Sequence, residues 1–173
     1  MKFLNSYVEF VDKLNSTIGR QTSWLTLVLV LVVVFDVVIR YVFNESSVAM
    51  QELEWHLFAI LFLMGIAYTL QQDDHVRVDL FYSKFNVKQK AWLNIAGTII
   101  FLIPFSLLII YASQNYVLNS LAMNESSPDP GGLPARYILK AFIPISFLFL
   151  LLQGASLLFK SIIEIKNFNV EAD

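Results

Sequence analysis

The chain has 173 residues, of which 57% are apolar and only 15% are charged, and its mean hydropathy is +0.62. Soluble domains carry about 25% charged residues, and a chain of this length could not bury so large an apolar fraction. The composition therefore excludes a soluble globular enzyme, and the lack of cysteine excludes a disulfide-bonded secreted domain. The net charge of −2 argues against nucleic acid as a partner. The remaining class is an integral membrane protein.

Residues 3–20 carry apolar side chains at helical spacing, with charged residues between them. This pattern predicts an amphipathic helix that lies in the membrane interface. Two roles are open for this helix: it anchors the chain in the membrane, or it is an arm that docks onto a partner protein.

Four apolar windows follow, and each is long enough to cross about 30 Å of hydrocarbon as a helix. Their apolar residues cover all helix faces rather than one stripe, as contact with lipid requires. Pro104 and Pro144 fall inside two of these windows and predict kinks. The expected fold is all-α integral membrane, in one domain, with four transmembrane helices at residues 22–43, 53–70, 92–117 and 138–159.

The distribution of lysine and arginine predicts the topology. Of the 12 such residues, Arg40, Arg136 and Lys140 fall on one side of the predicted spans, and all the others fall on the opposite side. Basic residues are enriched in cytoplasmic segments. We therefore expect a multi-pass membrane protein with both termini in the cytoplasm.

Asp36 and Arg40 lie four residues apart on one face of the first predicted span. Isolated charges at this depth are costly, so we expect the two side chains to pair. A salt bridge that supports helix packing is favoured over an ion or proton relay.

Glu52, Glu54 and His56 begin the second predicted span. Acidic residues in the first turn complement the helix dipole, so capping is a sufficient reason for the two glutamates. The imidazole titrates near neutral pH, and a contact of His56 with a partner outside the membrane is the alternative.

His56 and His75 are too far apart to share a haem iron, because nineteen helical residues span about 28 Å. The sequence also offers no nucleophile–base–acid spacing and no glycine-rich phosphate loop. We expect no enzymatic activity and no cofactor.

Four small residues are candidate points of close helix approach: Gly65, Ala67, Gly97 and Gly154.

The strongest local pattern runs from Arg40 to Leu80. It contains Arg40-Tyr-Val-Phe-Asn44, Gln51-Glu-Leu-Glu-Trp-His-Leu-Phe58, Phe62-Leu-Met-Gly-Ile-Ala-Tyr68 and Asp74-His-Val-Arg-Val-Asp-Leu80, and Gly132-Leu-Pro-Ala135 follows downstream. With four spans in a short chain, this resembles the small membrane subunit (the Q or DctQ-type component) of tripartite ATP-independent periplasmic (TRAP) transporters.

The resemblance implies two protein partners: a large membrane subunit, which pairs with this chain as a heterodimer, and a periplasmic substrate-binding protein. It further implies a location in the bacterial inner membrane and sodium-driven import of an organic acid, such as sialic acid or a C4-dicarboxylate. The large subunit would move substrate by an elevator motion, and this chain would enlarge the static scaffold around it.

Under this resemblance, several charged residues become candidate contacts with partners or membrane lipids. Glu52, Glu54 and Arg136 would face the binding protein on the outer side, together with the Pro/Gly-rich loop 124–134. His75, Arg77 and Asp79 would lie at the cytoplasmic end of the second span, where Arg77 and Asp79 pair or hold a lipid headgroup.

Two other functions are kept as alternatives. An accessory subunit of a redox complex would be expected to carry paired intramembrane histidines. An independent small permease would need polar residues near the midplane. Both kinds of residue are scarce in this sequence.

Overall fold

The computed structural model describes residues 2–72 and 85–171, with side chains described up to residue 168. These residues form helices and connecting loops, and none of them lies in a strand. The helices are α1 (Lys2–Val42), α2 (Val48–Gln71), α3 (Val87–Gly97), α4 (Ile103–Ala122) and α5 (Arg136–Glu171), and a π-helical turn (Thr98–Leu102) joins α3 to α4. Four helical stretches are long and apolar enough to span a membrane, as predicted.

Helix α1 joins two segments that the sequence predicted as separate helices. Residues 3–20 and 22–43 form one helix of 41 residues without a break. At 1.5 Å per residue it is about 60 Å long, roughly twice the thickness of the hydrocarbon core. The separation into two helices was therefore wrong, whereas the interfacial position of residues 3–20 stays a prediction.

Helix α1 packs against α2 and α5 through a seam that runs along its length, and in its N-terminal half Asp12 and Gly19 add contacts beside that seam. Between Ser23 and Arg40, every residue outside this seam is exposed. The seam alternates steps of four and three residues, which is the 3.5-residue period of knobs-into-holes packing. Its members are all at least partly buried: Leu4, Val8, Val11, Asn15, Ile18, Thr22, Leu25, Leu29, Val32, Asp36 and Ile39.

The interior of the bundle is made of small and polar side chains rather than large apolar ones. Among the described residues, four apolar side chains are buried, against eleven that are polar or charged. On α4 the buried residues Ser106, Ser113 and Ser120 recur every seven positions. Small residues let helix backbones approach closely where lipid provides no hydrophobic drive. The large apolar side chains point outward, as expected of a membrane bundle.

The two intrahelical prolines have different effects. Before Pro104, the helix widens into the π-helical turn, in which the Ile103 N–H donates to the carbonyl of Thr98. A proline has no N–H to continue the ladder, and its ring crowds the preceding turn. Helix α5 continues through Pro144.

Close approaches occur at some of the expected small residues. Gly154 meets the side chain of Leu102, and Ala67 is buried. Gly65 and Gly97 face open space instead. Helix α1 approaches α2 closely at Gly19, where a Cβ atom would overlap Cβ and Cγ of Tyr68.

We expect Gly19→Ala to weaken the packing of α1 on α2, because the added methyl group cannot be accommodated without moving Tyr68. Overpacking of this kind costs about 1–3 kcal/mol. Thermal unfolding of the purified chain in detergent measures the effect. Gly65→Ala is the matched control, since its Cβ meets open space. Equal thermal stability of the two variants would contradict the close contact.

Candidate functional site

A buried carboxylate organises one end of the bundle. Glu52, in the second turn of α2, is only 4% exposed. Its Oε1 accepts hydrogen bonds from Ser127 Oγ and Arg136 Nη2, each at 2.6 Å, and its Oε2 accepts one from the Leu133 N–H at 2.6 Å. Three donors from distant positions therefore satisfy one anion. We call Glu52, Ser127, Leu133 and Arg136 the Glu52 cluster.

Two cation–aromatic contacts flank this cluster. The Arg136 guanidinium carbon lies 5.6 Å from the centroid of the Trp55 ring. Lys140 pairs with Glu125 and lies 4.0 Å from the centroid of the Tyr116 ring. The hydrogen bond from Lys140 is the main reason that the pKa of Glu125 lies below its ordinary value. The loop between α4 and α5 is thus tied to α2, α4 and α5.

The loop backbone adopts the conformations that bring these groups together. Gly131 has a φ of 81°, and Ala135, just before Arg136, has a φ of 60°. The Arg136 N–H donates to the Glu125 carbonyl at 2.9 Å. At Gly132 a Cβ atom would collide with Ser127 and lie 2.8 Å from Glu52 Oε2, so only glycine fits beside the carboxylate.

A second polar cluster holds α1, α2 and α5 together at the opposite end. Asp12 pairs with Lys160 at 2.6 Å and accepts hydrogen bonds from Gln153 (3.0 Å) and Ser156 (3.1 Å). Asn15 donates to Gln153 Oε1 at 2.7 Å, and Gln71 donates to the Asp12 carbonyl at 2.8 Å. We call these residues the Asp12 cluster: Asp12, Asn15, Gln71, Gln153, Ser156 and Lys160.

The two clusters are separated by the thickness of a membrane. Glu52 and Gln71 lie nineteen residues apart in α2, which is about 28 Å along a helix. The hydrocarbon core of a bilayer is about 30 Å thick. The polar networks therefore mark the two ends of one apolar layer.

The ion pair predicted from the spacing of Asp36 and Arg40 is present. Asp36 belongs to the α1 seam and is 3% exposed, whereas the Arg40 side chain is 44% exposed. The arginine thus neutralises a carboxylate within a helix contact and extends away from the packed region. This geometry is that of a packing salt bridge.

The capping expected of Glu52 is wrong. Helix α2 begins at Val48, and the Glu52 carboxylate accepts from the loop and from Arg136 rather than from the N–H groups of the first turn. Glu54 is partly exposed, and so is His56, whose Nδ1 lies 2.5 Å from the Glu52 carbonyl. His75, Arg77 and Asp79 lie outside the described residues.

The Asp12 cluster and the part that Ser127 plays were not predicted from the sequence. Asp12 and Lys160 are 148 positions apart, so no local spacing could have paired them. The one available signal was the presence of polar residues on the otherwise apolar α5, above all Gln153.

Comparison with known families decides the assignment. Residues 29–163 match the family described as tripartite ATP-independent periplasmic transporters, DctQ component. The chain belongs to this family. The match covers most of the chain and includes the Glu52 cluster, whereas Asp12 and Asn15 precede it. No curated protein matches the chain.

The family assignment makes the chain the small membrane component of a TRAP transporter and a multi-pass membrane protein. The family is a transporter component and not an enzyme family, and it associates with a large membrane subunit and a binding protein.

We expect Arg136→Ala to destabilise the chain by about 2–3 kcal/mol, because it leaves the buried Glu52 carboxylate without its cationic partner. Thermal unfolding and limited proteolysis within residues 123–135 report the loss. Asp129→Asn, in the exposed part of the same loop, is the control. The double variant Glu52→Ala/Arg136→Ala should lose less stability than the sum of the losses in the two single variants. Full additivity would show that the pair is not coupled.

The Glu125–Lys140 pair predicts a loss of stability in acid. Folding lowers the pKa of Glu125 below 4.5, so its stabilising effect is present above that pH and is lost as the pH falls below it. Between about pH 7 and pH 3.5, Glu125→Gln should therefore lose less thermal stability than the wild type. Parallel pH profiles for the two proteins would contradict this.

Proposed function

We propose that the chain is the fixed scaffold of a sodium-driven, binding-protein-dependent transporter that imports an organic acid. It forms a heterodimer with the large membrane subunit, which carries the substrate by an elevator motion. The family match carries this proposal. Sialic acid and C4-dicarboxylates are the first substrates to test. The alternative of a redox subunit lies outside the matched family, and the independent permease becomes an outcome of the experiment below.

The two polar clusters support a static role. An elevator needs one part that stays in place while another slides past it. In this chain, Glu52 ties α2 to α5 at one end, and Asp12 ties α1 to α5 at the other. Each tie includes an ion pair with further hydrogen bonds, and such networks resist relative movement of the helices.

We assign the large subunit to the exposed face of α1. The membrane part of α1 uses one seam to contact its own chain, which leaves most of its circumference available. The face opposite the seam is a flat aliphatic strip with the same 3.5-residue spacing. It consists of Leu27, Leu31, Val34 and Val38, all of which are exposed.

The contact with the binding protein is assigned to the Glu52 end of the bundle. Glu54 and His56 are partly exposed there, whereas Glu52 and Arg136 form an ion pair with each other. Glu54→Lys should therefore raise the concentration of binding protein that gives half-maximal uptake. An unchanged value would remove Glu54 from the contact.

Other charged residues remain candidate contacts. His75, Arg77 and Asp79 are candidates for a contact with a partner or lipid, and Asp36 and Arg40 are candidates beside the α1 face.

A cysteine-directed crosslink tests the scaffold and its face together. The chain contains no cysteine, so each introduced thiol is its only one. In membranes that contain the whole transporter, Leu31→Cys labelled with a maleimide–benzophenone should crosslink to the large subunit on illumination. Leu108→Cys on α4 is the matched control, because Leu108 is 61% exposed and Leu31 is 60% exposed. We expect a strong adduct from position 31 and a weak one from position 108.

Other results would overturn the proposal in distinct ways. A strong adduct from position 108 alone would place the large subunit on α4. Purified chain that supports uptake in liposomes without a partner would make it an independent permease. Uptake by the complete transporter that persists when sodium is replaced by potassium would exclude the sodium gradient as the driving force.

A further inference from the structure

Helix α4 presents a second, exposed face on the side away from α5. Its packed side carries the buried serines, and Ser113 on that side is two residues, or about 200° of helix rotation, from the exposed Asn115. Five residues surround this opposite direction, and all of them are exposed. We call them the α4 outer face: Leu108, Ala112, Asn115, Asn119 and Ala122.

The spacing of the α4 outer face suits contact with another helix. Its residues follow one another in steps of four, three, four and three positions, which is the 3.5-residue period of knobs-into-holes packing. Together they cover about 21 Å of helix. Ala112 and Ala122 are small enough to let a second helix backbone approach closely.

The α4 outer face also carries two side-chain amides, at Asn115 and Asn119. Within the described part of the chain, neither side chain has a hydrogen-bond partner. An asparagine amide both donates and accepts hydrogen bonds, so it is complementary to another copy of itself. Hydrogen bonds of this kind between asparagines stabilise helix contacts in membranes, and in coiled coils one such residue fixes the register.

This self-complementarity selects a second copy of the chain as the partner. Copies in one membrane share one orientation, so a two-fold axis along the membrane normal places each α4 residue opposite the same residue of the other copy. Each amide can then donate to and accept from its own counterpart at the same depth. Helix α4 contains no charged residue, so the two helices meet without electrostatic repulsion.

We propose that the chain forms a dimer with a second copy of itself through the α4 outer face, with the Asn115 amides of the two copies hydrogen-bonded to each other. The aliphatic strip assigned to the large subunit lies on α1, a different helix, so one chain offers a separate helix to each partner. The dimer does not rest on the proposed transport function, because it involves two copies of this one chain.

A disulfide crosslink tests the geometry of the dimer. In membranes that contain the whole transporter, Asn115→Cys should form a product of twice the mass of the chain when copper phenanthroline is added. The chain has no cysteine of its own, so no other thiol of this chain can take part. Phe58→Cys on α2 is the control, since Phe58 is 57% exposed but lies on another helix. It should give little of this product.

A leucine substitution tests the amide itself. The transporter, with a fluorescent protein fused to this chain, is reconstituted in liposomes at a series of dilutions, and photobleaching steps count the copies. Asn115→Leu should lower the association constant of the dimer about tenfold, because a reciprocal pair of hydrogen bonds is lost. Gln114→Leu is the matched control, because Gln114 is an equally exposed amide that lies outside the α4 outer face. It should leave the constant unchanged.

Three results would overturn the dimer. The first is a single photobleaching step per liposome at every dilution of the wild type. The second is an equal loss of association in Asn115→Leu and Gln114→Leu, which would remove the specific amide pair. The third is a crosslink from Asn115→Cys, labelled with a maleimide–benzophenone, to the large subunit instead of a second copy. Each of these leaves the adduct expected from position 31 intact, so the proposed function is tested separately.

Discussion

A carboxylate withdrawn from water must find its donors within the protein, and the fold depends on how Glu52 does so. Its three partners come from the loop before α5 and from the first residue of that helix. None of them adjoins α2 in sequence, so the bond network can form only when α2 and α5 are correctly placed. A network satisfied in this way rigidifies the structure, whereas a half-satisfied one would be costly.

At the other end of the bundle, the carboxylate of Asp12 also takes its donors from a distant part of the chain, and this second cluster includes α1. Between the two clusters, α4 and α5 bury serine side chains and α1 packs through Leu25, Leu29 and Val32, while many large apolar side chains are exposed. The chain therefore has a hydrogen-bonded polar network at each end of an apolar middle. This distribution suits a part that stays in place and presents its outer faces to lipid and to a larger subunit.

The sequence by itself determined the four spans, the all-helical class, the Asp36–Arg40 pair and the family, because hydropathy, a four-residue spacing and a short motif are local properties. It did not reveal that residues 3–20 continue into the first span, because helical periodicity is the same on both sides of a junction. It also assigned Glu52 to a helix cap and overlooked Asp12. Only the tertiary structure could decide the partners of these two carboxylates, because Arg136 and Lys160 reach them through packing of helices far apart in the chain.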